Sequence, residues 1–445
     1  MKASWLYLKK DKFVLIIADI ISLTYIINKH LINLSVEYFN NLFIVNIFLI
    51  ISLLGIGYVA NRYSIYYFNR KNIIYSSIRI NSIIIIIFFT LILSFIYFWN
   101  FNLSSFYIKN FLFKIFLYLL LSQITFVFFS KNCFLKRIRC SILIYKDENL
   151  DVIKNEFKKT PIDGLSKVFE NNLRYLSFND FKKLELKSLK KNHLIFDNIQ
   201  NLNSQEIKLM TKENIHFTEL KTWFEQYFQR VILNSLNKAN YDYGNIVDNK
   251  IFEFRIKRTF DILFSILLLI CLAPLCLIIA VIIKIEDNNN IFYSQFRNGK
   301  GLKKISIRKF RSMKIDAEKE GPKWSLENDN RVTKFGKFIR KLRLDEIPQL
   351  LSVIKGDMSL IGPRPERPEM DKIFLKQNVH YHNRYSIKPG LSGWAQVNYP
   401  YGASFEDGIN KLSYDIYYLD NFSLLLDAFI FVKTIKIIFN LKGSR

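Results

Sequence analysis

The stretch FDILFSILLLICLAPLCLIIAVII occupies residues 260–283 and has no charged side chain after Asp261. It exceeds the roughly 20 apolar residues that a helix needs to cross a bilayer. Pro274 lies near its middle, and cationic residues flank it on both sides. A proline bends a helix, and cationic flanks favour the cytoplasmic face. We therefore predict a re-entrant helix, kinked at Ala273 and Pro274, that enters the membrane and returns to the same face. A kinked span is the alternative.

Four further apolar segments open the chain, at residues 12–31, 41–60, 79–99 and 111–130. Each is close to the length of a transmembrane helix. Lys and Arg are concentrated before the first segment, between the second and the third, and after the fourth; Arg62 belongs to the middle group. The positive-inside rule then places the N-terminus and everything after residue 131 in the cytoplasm. The sequence predicts a four-span transmembrane domain over residues 1–132, in which we expect Asp19 to have a structural role.

Residues 133–235 have the mixed pattern of a small cytoplasmic α/β domain. We predict strands at Ser141–Tyr145, His193–Phe196 and Asn214–Phe217, and helices at Leu150–Lys159 and Ser204–Lys212. Such alternation is typical of a Rossmann-like fold with a parallel sheet. Because no glycine-rich turn follows the first strand, we predict a regulatory or packing domain without a dinucleotide site. The polar residues 236–252 are predicted to be a linker to a C-terminal domain at 253–445.

The composition combines 50% apolar residues with a formal net charge of +26 over 445 residues. A membrane protein with basic cytoplasmic parts has this combination, and a basic protein also attracts nucleic acid or a nucleotide diphosphate. No helix-turn-helix or basic-zipper pattern is present, which argues against nucleic acid. The four cysteines form no CxxC pair, and the five histidines lack the spacing of zinc ligands.

An acidic pair, Asp345 and Glu346, lies in the stretch KLRLDEIPQL at residues 341–350. Proline is tolerated in the first turn of a helix, so the following proline places both carboxylates near a helix N-terminus or a kink. Adjacent helical residues point about 100° apart, so one carboxylate can face a reacting phosphorus while the other holds a metal ion or a proton. Arg340 and Arg343 supply cations beside them. An isolated Asp-Glu pair is usually solvated, so the surrounding motifs decide its meaning.

Further cationic motifs accompany the acidic pair in the last third of the chain. Alternation along a predicted strand places Lys309 and Arg311 on one side. Three prolines just after Gly362 make a stiff turn that fixes Arg364 in space. Glycines in the stretch 388–397 let a backbone approach a ligand, and a tryptophan there either lines the site or fills the core. Planar guanidinium groups around carboxylates favour a diphosphate site. The predicted substrate-binding residues are Lys309, Arg311, Arg340, Arg343, Arg364, Lys388, Trp394 and Gln396.

From about residue 257 onward the chain resembles the bacterial sugar transferase family, the monotopic phosphoglycosyl transferases. The motifs that carry the resemblance are, in order, Lys257-Arg258 with Asp261, the Pro274 helix, Lys309–Met313, Asp329 with Arg331-Val332-Thr333, Leu344–Gln349, Gly356–Ser359, Gly362–Pro365 and Lys388–Gln396. Four N-terminal spans and a middle α/β domain resemble the larger subgroup, which initiates exopolysaccharide or O-antigen repeats.

The resemblance implies transfer of a sugar 1-phosphate from a UDP-sugar to a polyprenyl (undecaprenyl) phosphate at the bacterial inner membrane. It implies that Asp345 attacks the sugar-bearing phosphorus and releases UMP, that a phosphosugar–aspartate intermediate forms, and that Glu346 helps to bind Mg²⁺. Apolar helices at Ile347–Ile361 and Phe422–Leu441 are expected to lie in the membrane interface. The lipid bilayer is then a partner, nucleic acid is not, and a homodimer is left open. The alternative is a non-catalytic membrane scaffold or regulator of polysaccharide assembly.

Overall fold

The computed structural model describes residues 10–31, 42–60, 62–63, 73–99, 105–146, 150–159, 169, 172–233, 250–287, 289–314, 317, 329–400, 402 and 404–440. The predicted linker lies outside these residues except for its last three positions. The described residues form two compact units, and the division between them falls between Trp223 and Phe224.

Four helices open the first unit: α1 (Lys10–Leu31), α2 (Leu42–Val59), α3 (Ile73–Trp99) and α4 (Ser105–Arg139). Their shared core is apolar and includes Ile27, Leu53, Ile84, Phe88 and Ile115. Among the described residues of this unit, only the segment Asn110–Phe128 is both long and apolar enough to cross a membrane, and Ile47–Val59 and Ser77–Thr90 are shorter apolar stretches. The predicted count of four spans is therefore not confirmed by helix length and composition.

A buried ionic cluster ties these helices together. The Arg62 side chain is only 1% exposed. Its Nε and Nη2 atoms donate to the two carboxylate oxygens of Asp19 at 3.0 Å and 2.9 Å, and the Tyr63 hydroxyl donates to the same carboxylate at 2.8 Å. Arg62 also donates to Asn81 of α3 and Ser122 of α4. This geometry gives Asp19 a structural role. It also means that Arg62 is a buried partner of Asp19 and not one of the exposed loop cations that the positive-inside rule counts.

A parallel sheet of four strands follows, in the order β2-β1-β3-β4. The described elements are β1 (Ser141–Tyr145), α5 (Leu150–Lys158), β2 (Arg174–Ser177), α6 (Phe178–Lys183), β3 (His193–Phe196), α7 (Ser204–Lys212), β4 (His216–Glu219) and α8 (Leu220–Phe228). The predicted α/β region with a parallel sheet is confirmed. Strand β2 escaped prediction because RYLS is short, lies at the sheet edge and has no fully buried residue.

The second unit contains two short sheets and a set of helices. Its described elements are α9 (Ile251–Asp287), β5 (Phe292–Asn298), β6 (Lys304–Phe310), α10 (Lys334–Lys341), α11 (Leu350–Lys355), β7 (Ser359–Ile361), α12 (Pro368–Gln377), β8 (Gly390–Ser392), α13 (Trp394–Asn398), α14 (Phe405–Asp420) and α15 (Leu424–Phe439). Strands β5 and β6 form an antiparallel hairpin, and β7 pairs with β8 in parallel. The 3₁₀ helix Leu344–Gln349, called the acidic turn below, lies between α10 and α11.

The unit begins earlier than the predicted domain boundary at residue 235. Gln229 accepts a hydrogen bond at its carbonyl from the indole of Trp394 at 2.9 Å. The main-chain N–H of Val231 donates to the carbonyl of Ser413 at 3.1 Å. Residues 224–233 therefore pack on the C-terminal elements, although the sequence pattern assigned them to the α/β domain.

Helix α9 is continuous through Pro274, and most of its apolar side chains are exposed. Near its start, Lys257 pairs with Asp427, and Asp261 accepts from the main-chain N–H of Leu360 at 3.0 Å. Near its end, Glu286 accepts from the main-chain N–H of Phe335 at 3.4 Å. Both ends of the helix therefore contact the same unit, and the exposed middle lies between them.

The predicted interfacial helix Ile347–Ile361 is wrong in its second half. Helix α11 ends at Lys355, because Gly356 adopts a left-handed conformation with φ of 100°. The chain then enters strand β7, where Leu360 and Ile361 are buried. The other predicted helix is present as α15, which exposes Leu425 and Phe439.

Candidate active site

The acidic turn places both carboxylates in a buried position. Helix α10, capped by the Thr333 hydroxyl, ends at Lys341, and Arg343 then adopts φ of 55° and ψ of 22°. A non-glycine residue in this left-handed region costs about 1–2 kcal/mol, so the surrounding contacts must hold it there. The reversal brings Asp345 and Glu346 inward, where each is 8% exposed.

Glu346 is held by three cations. Its Oε1 accepts from Lys309 Nζ at 3.0 Å and from Arg364 Nη2 at 2.7 Å. The Nη1 atom of Arg343 lies 3.7 Å from Oε2. Burial by itself raises the pKa of Glu346, but Arg364, Lys309 and Arg343 outweigh burial and hold the pKa well below its ordinary value. Glu346 is therefore an ionised, fixed carboxylate.

Asp345 has a different electrostatic environment. Burial, and then the negative charge of Glu346, raise the pKa of Asp345 to about 6, while Lys309, Arg340 and Arg364 oppose this shift. A carboxylate with a raised pKa is more basic than an ordinary aspartate and is still ionised at neutral pH. Of the pair, Asp345 therefore has the properties of an attacking or proton-accepting group, and Glu346 those of a fixed charge.

Lys309 and Arg364 reach the pair from two different elements. Lys309 stands next to the end of strand β6, opposite Tyr293 of β5. Arg364 lies in the proline-rich turn after β7, and its carbonyl accepts from Arg384 Nη2 at 2.7 Å. The same Arg384 guanidinium pairs with the buried Asp415 at 3.0 Å. The predicted stiff turn thus has an additional anchor, which the prolines alone did not reveal.

The glycines of the turn and of strand β8 serve backbone packing. A Cβ atom on Gly390 would lie 2.1 Å from the main-chain nitrogen of Gly362. The N–H of Gly390 donates to the carbonyl of Pro363 at 2.8 Å. We expected the glycines of residues 388–397, Gly390 among them, to let the backbone approach a ligand. In the structure they let strands β7 and β8 approach each other, which fixes the turn that carries Arg364.

Other predicted site residues are placed elsewhere. Trp394 is 1% exposed and stacks on Tyr417, with ring centroids 5.9 Å apart, so it fills the core. Lys388 lies among Arg258, Asp261 and Lys300, and burial lowers its pKa.

Gln396 and Arg311, two more of the predicted residues, make local contacts. Gln396 donates through Nε2 to the carbonyl of Leu391 at 3.2 Å. Arg311 follows the last residue of β6, so it is not part of the strand that we predicted to carry it; its main-chain N–H donates to the Ile291 carbonyl. Ala273 and Pro274 lie within α9.

A small cavity of about 20 Å³, with room for about one water-sized group, adjoins Lys309 and Arg364. Its lining residues are Tyr293, Gln295, Arg297, Ile307, Lys309, Gln349, Arg364 and Pro365. Tyr293, Gln295 and Arg297 were not among the predicted substrate-binding residues. Strand alternation and the hairpin register could have found them, since they share the face of Lys309.

The donor set of the site fits Mg²⁺ better than a transition metal. Within the described residues, no group of three or more His, Cys, Asp or Glu side chains could hold a metal ion. The adjacent carboxylates of Asp345 and Glu346 supply hard oxygen donors. Protein sites for Mg²⁺ commonly use one or two carboxylates and complete the shell with substrate phosphates and water. Because Glu346 Oε1 already accepts from Lys309 and Arg364, a Mg²⁺ ion would be held by the other carboxylate oxygens of the pair together with phosphate and water.

The comparisons with known proteins cover the second unit. The family model described as bacterial sugar transferase matches residues 252–441. A UDP-N-acetylgalactosamine-undecaprenyl-phosphate N-acetylgalactosaminephosphotransferase of Aeromonas hydrophila is 44% identical over 202 residues, which are 45% of this chain and 48% of that protein. An undecaprenyl-phosphate glucose phosphotransferase of Komagataeibacter xylinus is 36% identical over 186 residues, 40% of this chain and 35% of that protein.

A shorter relative is matched over nearly its whole length. The exopolysaccharide production protein PSS of Rhizobium leguminosarum bv. phaseoli is 35% identical over 186 residues, which are 40% of this chain and 93% of that protein. The matched region spans about half or less of the Aeromonas and Komagataeibacter proteins.

Proposed function

The chain belongs to the bacterial sugar transferase family, and we propose that it transfers a sugar 1-phosphate from a UDP-sugar to undecaprenyl phosphate and releases UMP. One observation carries the proposal: a buried acidic pair in which Glu346 is neutralised by Lys309 and Arg364 while Asp345 keeps a raised pKa. A carboxylate that attacks a phosphorus must be ionised, and nearby cations must offset the charge of the diphosphate that it approaches. Asp345, with Lys309 and Arg364 beside it, meets both conditions.

In the proposed reaction an Asp345 oxygen attacks the sugar-bearing phosphorus of the donor. The new O–P bond forms as the bond to UMP breaks, and the phosphosugar stays on Asp345. An oxygen of the lipid phosphate then attacks the same phosphorus, and Asp345 leaves as a free carboxylate. Lys309 and Arg364 offset the negative charge of the phosphates throughout. Mg²⁺, held by the acidic pair, would supply further positive charge beside the diphosphate.

The membrane arrangement supports access to a lipid acceptor. The apolar surface of α9 is exposed, with Ile270 and Leu277 among the most exposed residues. Asp261 and Glu286 both contact other parts of the second unit. On a straight helix they would lie about 37 Å apart, which exceeds the roughly 30 Å of the hydrocarbon core and would put them on opposite faces of the membrane. Because one unit contacts both ends of the helix, the re-entrant arrangement is favoured, with the acidic pair at headgroup depth. We propose in addition that α1–α4 span the inner membrane and that both termini face the cytoplasm.

The product would be the first lipid-linked sugar of an exopolysaccharide or O-antigen repeat. The Aeromonas relative is named for N-acetylgalactosamine and the Komagataeibacter relative for glucose, so UDP-N-acetylgalactosamine and UDP-glucose are the first donors to test. The purified protein, with undecaprenyl phosphate and Mg²⁺, should release UMP and form a lipid-linked sugar from one of a panel of UDP-sugars, and EDTA should stop the reaction. If no donor yields UMP or lipid product, the non-catalytic scaffold becomes the better description.

A further inference from the structure

Gln349 closes the acidic turn on the same side as Glu346. The turn is a 3₁₀ helix, in which residues three apart lie one above the other with a rise of about 2.0 Å per residue. Gln349 is therefore one turn, about 6 Å, beyond Glu346 on the same face. It is 3% exposed and lines the cavity beside Lys309 and Arg364. The turn thus directs one neutral polar side chain toward the place where the cations converge.

The side-chain amide of Gln349 has an unused donor. Its Nε2 atom is buried and finds no hydrogen-bond acceptor among the residues that the structure describes. Buried polar groups are nearly always hydrogen-bonded, so an exception calls for an explanation such as a ligand. The lining of the cavity includes the cations Arg297, Lys309 and Arg364 and no carboxylate. The missing acceptor is therefore expected to be an anion, and a phosphate oxygen has the matching chemistry.

We propose that Gln349 is a catalytic residue, whose side-chain N–H donates to a non-bridging oxygen of the phosphoryl group that moves from the donor to Asp345. The inference rests on the proposed function and assigns one more group to it. As the bond from Asp345 to phosphorus forms and the bond to UMP breaks, negative charge is redistributed over the non-bridging oxygens. A preorganised donor at one of them stabilises the transition state, and Gln349 keeps its proton throughout.

A neutral donor suits this position better than another cation. Lys309 and Arg364 both pair with Glu346 in the structure, so their N–H groups are divided between the protein and a substrate. An amide carries no net charge and does not compete for the acidic pair. Gln349 therefore remains available for the phosphoryl oxygen and leaves the charge of Asp345 unmasked for the attack.

The test compares Gln349→Met with wild-type full-length protein in UMP release from the preferred donor. Methionine keeps the length of the side chain and removes the N–H. We expect kcat to fall about 100-fold, as for the loss of one oxyanion-hole donor, while KM for the donor changes less than about threefold. Gln377→Met, at the exposed end of α12, is the matched control and should match wild type in rate. An equal rate for wild type and Gln349→Met overturns the assignment, as does a loss confined to KM.

A second readout separates catalysis from folding. Donors with sulfur in place of either non-bridging oxygen on the sugar-bearing phosphorus are used as a pair of diastereomers, because sulfur accepts hydrogen bonds weakly. Wild type should prefer one diastereomer, and Gln349→Met should lose at least about tenfold of that preference at the same Mg²⁺ concentration. An unchanged preference contradicts the inference even if the variant is slow. Failure of wild type to turn over any donor would instead count against the proposed function itself.

Discussion

Asp345 and Glu346 are neighbours in the chain, yet their surroundings separate their charge states. The three cations around Glu346 keep it ionised, whereas burial and the Glu346 charge make Asp345 the more basic of the two. Two carboxylates that titrate apart can divide two tasks, such as attack and charge balance. The division of roles that the family resemblance implies for this pair therefore has a physical basis in the contacts of each side chain.

The pH dependence of UMP release should report the Asp345 carboxylate. Because its pKa is raised to about 6, a growing fraction is protonated below that pH and cannot attack, so kcat/KM should fall on the acid side with an apparent pKa near 6. In Glu346→Gln the acid-side fall of the residual kcat/KM should occur at lower pH, since a neighbouring negative charge has been removed. If the apparent pKa of this fall is unchanged or higher in Glu346→Gln, a group other than Asp345 controls the pH dependence.

At the scale of elements, the turn that carries Arg364 is held by a buried ion pair and by the close approach of β7 and β8. Arg384 and Asp415 are both buried, and the guanidinium also donates to the Tyr381 hydroxyl. Nothing in the cationic motif itself predicts this anchor. The proline-rich turn and Arg384 come together only because the 3₁₀ helix Val379–Tyr385 packs against α14.

Loss of one partner of this pair should cost more than loss of both. Arg384→Met leaves Asp415 buried and unpaired, which we expect to destabilise the protein by about 3–5 kcal/mol. Adding Asp415→Asn should recover part of that loss, as measured by the unfolding midpoint in detergent. Lys376→Met, an exposed cation on α12, is the control and should leave the midpoint unchanged. Additive losses in the double variant would rule out an energetic coupling between the two residues.

Trp394 offers a second test at this scale. Its indole packs on Tyr417 and donates to the Gln229 carbonyl, away from the acidic pair. We expect Trp394→Phe to lower the unfolding midpoint, through the lost hydrogen bond and contact area, and to leave KM for the UDP-sugar within about twofold. A tenfold rise in KM without a loss of stability would instead support the substrate contact that the sequence motif suggested.

For the whole molecule, the sequence predicted best those helices and strands that depend on a local pattern of apolar residues. Strands β1 and β3 and helix α7 lie where the apolar pattern placed them. The pairing of Lys257 with Asp427, which are 170 residues apart, depends on tertiary packing that no local pattern encodes. The same is true of Arg62, whose charge looked like a loop cation and is buried against Asp19.

The candidate site was predictable in part for the same reason. The acidic pair, Lys309 and Arg364 belong to motifs with charge, which a sequence displays directly. Gln349 carries no charge, and its significance depends on the face of a 3₁₀ helix and on the cavity beside it. Trp394 is the opposite case: its motif predicted a site residue, but a tryptophan packs in a core as readily as it binds a ligand.

The extent of the second unit leads to a prediction about truncation. A protein that begins at Phe224 keeps the contacts of Gln229 and Val231 with the C-terminal elements, whereas one that begins at Tyr243 loses them. We expect the longer protein to have the higher unfolding midpoint in detergent and the higher transferase activity per milligram. Equal stability of the two would mean that residues 224–233 contribute nothing to the unit.

The most direct test of the central claim is the stoichiometry of UMP release in the absence of lipid. Wild-type protein given its UDP-sugar and Mg²⁺ should release about one UMP per active site and gain the mass of a phosphosugar on Asp345, as a double displacement requires. Asp345→Asn should remain folded and release none, because an amide lacks the charge of the nucleophile. If UMP appears only after undecaprenyl phosphate is added and no adduct forms, or if Asp345→Asn turns over near the wild-type rate, the lipid phosphate attacks directly and the assignment of Asp345 is wrong.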